Sequence, residues 1–278
     1  MRAMLSLVIA VGSMFLVAER SSAQKSCCVR IEDSKAFYSD AKFIAQHDAP
    51  LPFAFVPTTG STITFKTSGA DGQGYLVSSP KKSDKYLLVF HEWWGLNGYI
   101  KQEAERLQTE LGDVNILAVD LFDGVVATTP DQASKLAMGA KSERLLAIIQ
   151  GAIDYAGNTK EIATLGWCYG GGWSLQAAFL AGTKCRACVM YYGMPDTTTA
   201  NLNKLAAPVL GLFAGRDQYI TKEIVATFQQ AARKLGKYVE VRSYDADHAF
   251  ANPSNPHFNQ AAKSDADRRA IKFLLEQF

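Results

Sequence analysis

The segment Gly166-Trp167-Cys168-Tyr169-Gly170-Gly171 follows an apolar run, Ile162 to Leu165, and precedes a helix-prone stretch, Trp173 to Ala181. No other feature constrains the fold as tightly. A strand must enter a sharp turn and leave it as a helix, so only small residues fit two positions away on either side of the central one. A glycine two positions away on each side of a potential nucleophile, between strand and helix, is a nucleophile elbow. Here the central residue is a cysteine. A thiolate is a strong nucleophile, but its surroundings must generate it. Read purely as structure, the same residues are a glycine-rich turn around a buried cysteine.

Two downstream segments favour the chemical reading. The loop Ala214-Gly215-Arg216-Asp217 ends the apolar run Pro208 to Phe213, and Asp247-His248-Ala249-Phe250 follows the run Tyr238 to Tyr244. Nucleophile, acid, histidine is the chain order of α/β-hydrolases, and differs from that of the chymotrypsin and subtilisin folds. Each candidate stands just past the carboxyl end of a predicted strand, where open α/β sheets place their sites. Cys168, His248 and Asp217 are therefore the expected triad.

Strands are expected at 62–66, 74–78, 86–91, 115–121, 162–166, 187–192, 209–214 and 238–244. Continuous apolar runs such as Leu87-Leu88-Val89-Phe90 suit strands buried on both faces of a parallel sheet. The first two alternate and suit an antiparallel hairpin. Helices are expected at 97–111, with Ile100, Ala104, Leu107 and Leu111 on one face, and at 130–155, 173–181, 221–235 and 257–278. Alternating elements of these kinds give a doubly wound, mostly parallel sheet with helices on both faces. The expected class is α/β, with the α/β-hydrolase fold.

Residues 1–23 have the basic start, apolar middle and small-residue end of a secretory signal peptide, with Ser21-x-Ala23 as the cleavage site; an uncleaved membrane anchor is the alternative. Residues 24–60 then form an N-terminal extension and 61–278 the hydrolase-like domain. The expected location is secreted or periplasmic. Net charge is +2, with 29 basic and 27 acidic residues and no long basic run, which argues against nucleic acid as a partner. No membrane association is expected after cleavage, and a monomer is expected. Of the five cysteines, four besides Cys168 remain: Cys27, Cys28, Cys185 and Cys188. Export would permit a disulfide from the N-terminal arm to the Cys185/Cys188 region, with connectivity open. The Cys-x2-Cys pair lacks a second ligand pair, so no metal is expected. His47 in the extension, His257 and His91 are read as structural.

With these pieces placed, the chain resembles the dienelactone hydrolase family from about residue 62 to 278. The resemblance rests on His91-Glu92-Trp93-Trp94-Gly95-Leu96-Asn97, Asp120-Leu121-Phe122, the elbow, Gly215-Arg216-Asp217 and His248-Ala249-Phe250-Ala251. It implies that Glu92 contacts the nucleophilic cysteine and controls its ionisation, since a nearby buried carboxylate disfavours a thiolate. It also implies an oxyanion hole from the Tyr169 and Trp93 amides, with Trp93, Trp94 and Tyr169 forming an aromatic mouth for substrate. The family type holds its substrate carboxylate with two arginines. At the corresponding places this chain reads Asp123-Gly124 and Asn252-Pro253, so the dienelactone substrate does not carry over.

The expected activity is cleavage of a small-molecule carboxylic ester or lactone through an acyl-enzyme, without a cofactor. A thioesterase or acyltransferase using the same triad is one alternative. A non-catalytic ligand-binding protein on a hydrolase fold is another.

Overall fold

The computed structural model describes residues 28–158 and 161–278; the leader and Cys27 lie outside the described residues. Eight strands form one sheet: β1 (Ser61–Phe65), β2 (Gly72–Val77), β3 (Tyr86–Phe90), β4 (Asn115–Val119), β5 (Ile162–Trp167), β6 (Cys185–Tyr191), β7 (Val209–Ala214) and β8 (Val239–Tyr244). Their order is β1-β2-β4-β3-β5-β6-β7-β8. The first two form the expected antiparallel hairpin, and β2 runs antiparallel to β4. All pairings from β4 through β8 are parallel. β3 to β7 are apolar on both faces because helices cover both faces. β1 and β8 are the edge strands, and the burial of β8 alternates accordingly.

The helices are α1 (Lys35–Tyr38), α2 (Ala41–Ala45), α3 (Gly98–Leu111), α4 (Pro130–Gly139), α5 (Ser142–Tyr155), α6 (Tyr169–Ala181), α7 (Thr199–Leu202), α8 (Lys222–Lys234) and α9 (Gln260–Gln277). Asn97 caps α3 through a 3.2 Å bond from the Ile100 amide, and the four apolar residues expected on one face are all buried. Two expectations are corrected. The stretch 130–155 is two helices, because the chain turns extended at Ala140 (ψ 123°) after Gly139, a weak helix former. The helix after the elbow starts at Tyr169 and not Trp173, so Gly170, Gly171 and Gly172 lie inside it.

Those glycines are a packing requirement. A Cβ on Gly170 would stand 2.2 Å from the Phe90 carbonyl oxygen and 2.4 Å from that of His91. Both obstacles are backbone, so neither can step aside cheaply. Gly170→Ala should therefore cost about 1–3 kcal/mol or more, outweighing the gain in helix propensity. A denaturant midpoint equal to that of the parent would contradict this.

The extension is built into the core. Ile31, Tyr38 and Phe43 are buried with the helix-side cluster of the sheet. Ser134 Oγ donates to the Tyr38 carbonyl, and the Lys35 ammonium donates to the Ala140 carbonyl over 3.1 Å. Cys185 and Cys188 are buried free thiols in β6, so neither is tied to the N-terminal arm. Burial pushes both thiols up, Cys188 to about 11. Among the described residues no helix is long and apolar enough to cross a membrane.

Candidate active site

The parallel strands deliver four side chains to one rim of the sheet: Glu92 after β3, Cys168 after β5, Asp217 after β7 and His248 after β8. Cys168 sits at the elbow with φ 52° and ψ −115°, in the left-handed half of backbone space that a β-carbon disfavours. Its amide donates to the Tyr191 carbonyl over 2.9 Å, which holds the turn against β6. The next amide, Tyr169, opens α6, where no intrahelical acceptor exists, so it is available to an anion.

His248 connects the other two. Its Nδ1 lies 2.6 Å from Asp217 Oδ2 and its Nε2 3.1 Å from Cys168 Sγ. Asp217 Oδ1 in turn accepts the Tyr219 and Ile220 amides at 2.9 and 3.0 Å. Burial works against charge on the imidazole. The Asp217 carboxylate, then the Cys168 sulfur and the bonds to both, outweigh burial and hold His248 well above its ordinary value. Asp217 is also buried, which favours its neutral form. His248 and the two amides outweigh that and keep its carboxyl low. The ionised acid and the protonated imidazole thus support each other.

Glu92 is buried, and its hydrogen-bond partners are Tyr192 and Asn252. Its carboxylate accepts from Tyr192 Oη at 3.4 Å and from the Asn252 side-chain amide, and its hydrogen bonds do not go to Cys168. Asn252 is oriented by its own carbonyl oxygen, which accepts from the Ser254 amide and hydroxyl at 2.9 and 2.8 Å, leaving the NH2 for Glu92. Burial raises the Glu92 carboxyl to about 7, against the opposing pull of His248, Asn252 and Tyr192. A carboxyl raised on folding stabilises the protein fully below its unfolded value of 4.5, and that contribution is lost as pH rises through about 7. Glu92→Gln should therefore gain stability relative to the parent between pH 5 and pH 8, by up to about 3 kcal/mol. Paired melting curves across that range check this, and a flat difference would contradict it.

His91 is structural, as expected. The Leu121 amide donates to its Nε2 at 3.0 Å, so its Nδ1 carries the proton and donates to the Glu92 carbonyl at 2.6 Å. The ring thereby links the loop bearing Glu92 and Trp93 to the loop after β4. That second loop is closed by Asp120, whose carboxylate accepts the Phe122 and Gly124 amides at 2.9 and 2.7 Å.

Trp93 and Tyr169 do not frame an open mouth, and of the three only Trp94 lines the larger cleft. Trp93 is fully buried, and the other two are nearly so. The cause is the extension. Phe43 packs edge-on to Trp93 with ring centroids 5.3 Å apart, and Tyr38 lies 5.7 Å from Tyr169. His47, to which the sequence assigned no role, packs edge-on with its ring centroid 4.8 Å from that of Trp93 and 5.4 Å from that of His248.

Two spaces adjoin the site. The smaller, about 10 Å³, lies under the extension and is lined by Cys168, His248, Tyr38, Phe43 and Tyr192 among others. The larger, a cleft of about 60 Å³, is bounded by Glu92, Trp94, Trp167, Tyr192, Asn252 and Lys263 among others. Tyr192 lines both, so with Glu92 it forms the partition between the cleft and the nucleophile. Tyr192 and Lys263 carried no motif signal: each reaches the site through long-range packing.

The dienelactone hydrolase family model matches residues 73–278. Protein usf of Aquifex pyrophilus is 27% identical over 230 residues, covering 78% of this chain and 98% of that protein. Carboxymethylenebutenolidase 1 of Cupriavidus pinatubonensis is 24% identical over 229 residues, covering 77% and 95%. Among solved structures, a dienelactone hydrolase-like promiscuous phosphotriesterase from metagenomic libraries superposes with a TM-score of 0.70 at 20% identity, covering 80% of this chain and 100% of that one. A dienelactone hydrolase from Anabaena variabilis does so with a TM-score of 0.59 at 18% identity and the same coverage. These neighbours share the α/β-hydrolase fold seen here. A sheet of that fold, with cysteine, histidine and aspartate gathered at its carboxyl rim, agrees with the family match over most of its length: the chain belongs to the dienelactone hydrolase family and is a hydrolase of the ester and lactone type.

Proposed function

We propose that the protein cleaves a small-molecule carboxylic ester or lactone through a Cys168–His248–Asp217 triad and an acyl-enzyme. The observation that carries this is the position of His248, 2.6 Å from Asp217 and 3.1 Å from Cys168. A charged imidazole hydrogen-bonded to the sulfur favours the thiolate. The sulfur attacks the carbonyl carbon, and the Tyr169 and Trp93 amides hold the resulting oxyanion. His248 gives its proton to the leaving oxygen, and the thioester forms as the C–O bond breaks. His248 then takes a proton from water, which attacks the thioester and releases acid and thiolate. Asp217 keeps the imidazole in its working tautomer throughout. By the family resemblance Glu92 controls the nucleophile, from its place in the wall of the cleft. Because Trp94 and Tyr192 wall the cleft, the substrate is expected to be compact and partly apolar. The leader would place this activity outside the cytoplasm, which N-terminal sequencing of the mature chain checks.

Iodoacetamide titration against a panel of activated esters and lactones tests the reading. One carboxamidomethyl group, mapped to Cys168, should abolish turnover. Full turnover by protein alkylated at Cys168 would overturn it.

A further inference from the structure

His47 has a buried ring nitrogen that nothing in the hydrolytic cycle uses. Its Nδ1 lies 2.7 Å from the Phe43 carbonyl oxygen, which carries no proton, so Nδ1 must donate. A second proton, on the other nitrogen, would meet no acceptor in this buried position, so the ring is neutral. The other nitrogen, Nε2, is then a bare lone pair. It is buried and has no hydrogen-bond partner among the described residues. A buried polar atom left in that state costs free energy and calls for an explanation.

We infer that His47, Cys168 and His248 form a site for a borderline-soft divalent cation such as zinc, one that joins the N-terminal extension to the catalytic face. One ligand atom from each of the three residues lies within 4.8 Å of the other two. The Cys168–His248 pair is already at 3.1 Å. Tetrahedral zinc, with bonds of about 2.3 Å to sulfur and 2.0–2.1 Å to nitrogen, needs donor separations of about 3.3–3.6 Å. Closing the widest pair therefore takes a side-chain movement on the order of an ångström. One thiolate and two neutral imidazoles suit zinc or cobalt and leave a fourth position open. The supporting contacts are also in place. His248 Nδ1 is held by Asp217 and His47 Nδ1 by a backbone carbonyl, the two kinds of partner that orient metal-bound histidines. Binding displaces the single proton that Cys168 and His248 share, and it leaves to solvent. The ion then occupies both nucleophile and base, and fixes the extension over them.

The test uses the full chain, reduced and freed of metal, with cobalt(II) chloride alone and then zinc chloride alone. One equivalent of cobalt should give a thiolate-to-cobalt charge-transfer band, and zinc should displace it and shield Cys168 from iodoacetamide. Cys168→Ser should remove the band, and His47→Gln should weaken cobalt binding at least tenfold. A band that survives in Cys168→Ser, placing the ion on other cysteines, would overturn the proposal. So would unchanged affinity in His47→Gln. Should that variant fail to fold, X-ray absorption on the zinc-loaded parent decides. One sulfur with two imidazoles supports the site; one sulfur with a single imidazole overturns it.

Discussion

Replacing Cys168 with alanine should lower kcat/KM for any accepted ester by roughly four orders of magnitude or more, because no other group can form the covalent intermediate. Removing one member of a nucleophile–histidine–acid set leaves only binding and oxyanion stabilisation, and the members act as a unit. The substitution removes one buried sulfur at the end of β5, beside the small space under the extension. The folded state should therefore survive, and circular dichroism separates lost chemistry from lost structure. The thiols of Cys185 and Cys188 cannot stand in, since both are raised by burial within β6. Turnover by folded Cys168→Ala within tenfold of the parent would show that the nucleophile has been misassigned.

The second large effect concerns substrate charge. Two bidentate arginine contacts to a carboxylate contribute on the order of 1.5–3 kcal/mol each, so lacking them should weaken small carboxylate-bearing lactones about a hundredfold or more relative to a site that has both. The structure accounts for every candidate replacement. Asp123 lies at the position of the first arginine and is itself paired with Arg144 at 2.5 Å. Asn252, near the second, commits its amide to Glu92. Arg216 is held at the surface between Asp245 and Asp247 at 2.7 and 3.1 Å. Lys101 rests over the Tyr75 ring, 5.8 Å from its centroid. Lys263 does line the cleft, but its ammonium is engaged by Asp267 and lies 3.8 Å from Glu103. Steady-state kinetics on a dienelactone carboxylate and its neutral methyl ester decide the matter. The neutral ester should have the higher kcat/KM; a clear preference for the free acid would contradict the expectation.

What the sequence made legible follows from the range over which each signal acts. The elbow, the acid loop and the histidine loop are local patterns. Each is dictated by a strand end and by chemistry that tolerates few residue types, so residue type and order suffice to place them. The buried strands were equally readable, since Leu87 to Phe90 or Val209 to Ala214 can be covered only from both faces. The extension was not readable. α1 and α2 have four and five residues, too few for a periodic apolar face, and their stability comes from Trp93, Tyr169 and Tyr219 far along the chain. That is why His47 read as a structural histidine of the extension with no link to the site, and why the aromatic mouth read as open. Glu92 shows the same limit. Its burial followed from its place after β3, but its partners Tyr192 and Asn252 come from the ends of two other segments, and only their convergence in space directs the carboxylate to them. The break between α4 and α5 is a local failure of another kind: a single glycine outweighed a helical pattern that was otherwise continuous.

The covalent step is the centre of the account, and it can be observed directly. The protein is mixed with a slowly turning activated ester, quenched in acid within the first turnovers, and analysed by intact mass and then by peptide mapping. One acyl group per chain is expected, on the peptide containing Cys168, decaying at the rate of turnover and absent from Cys168→Ala. Undiminished turnover with no acyl group on Cys168, or with the acyl group on another residue, would contradict the account.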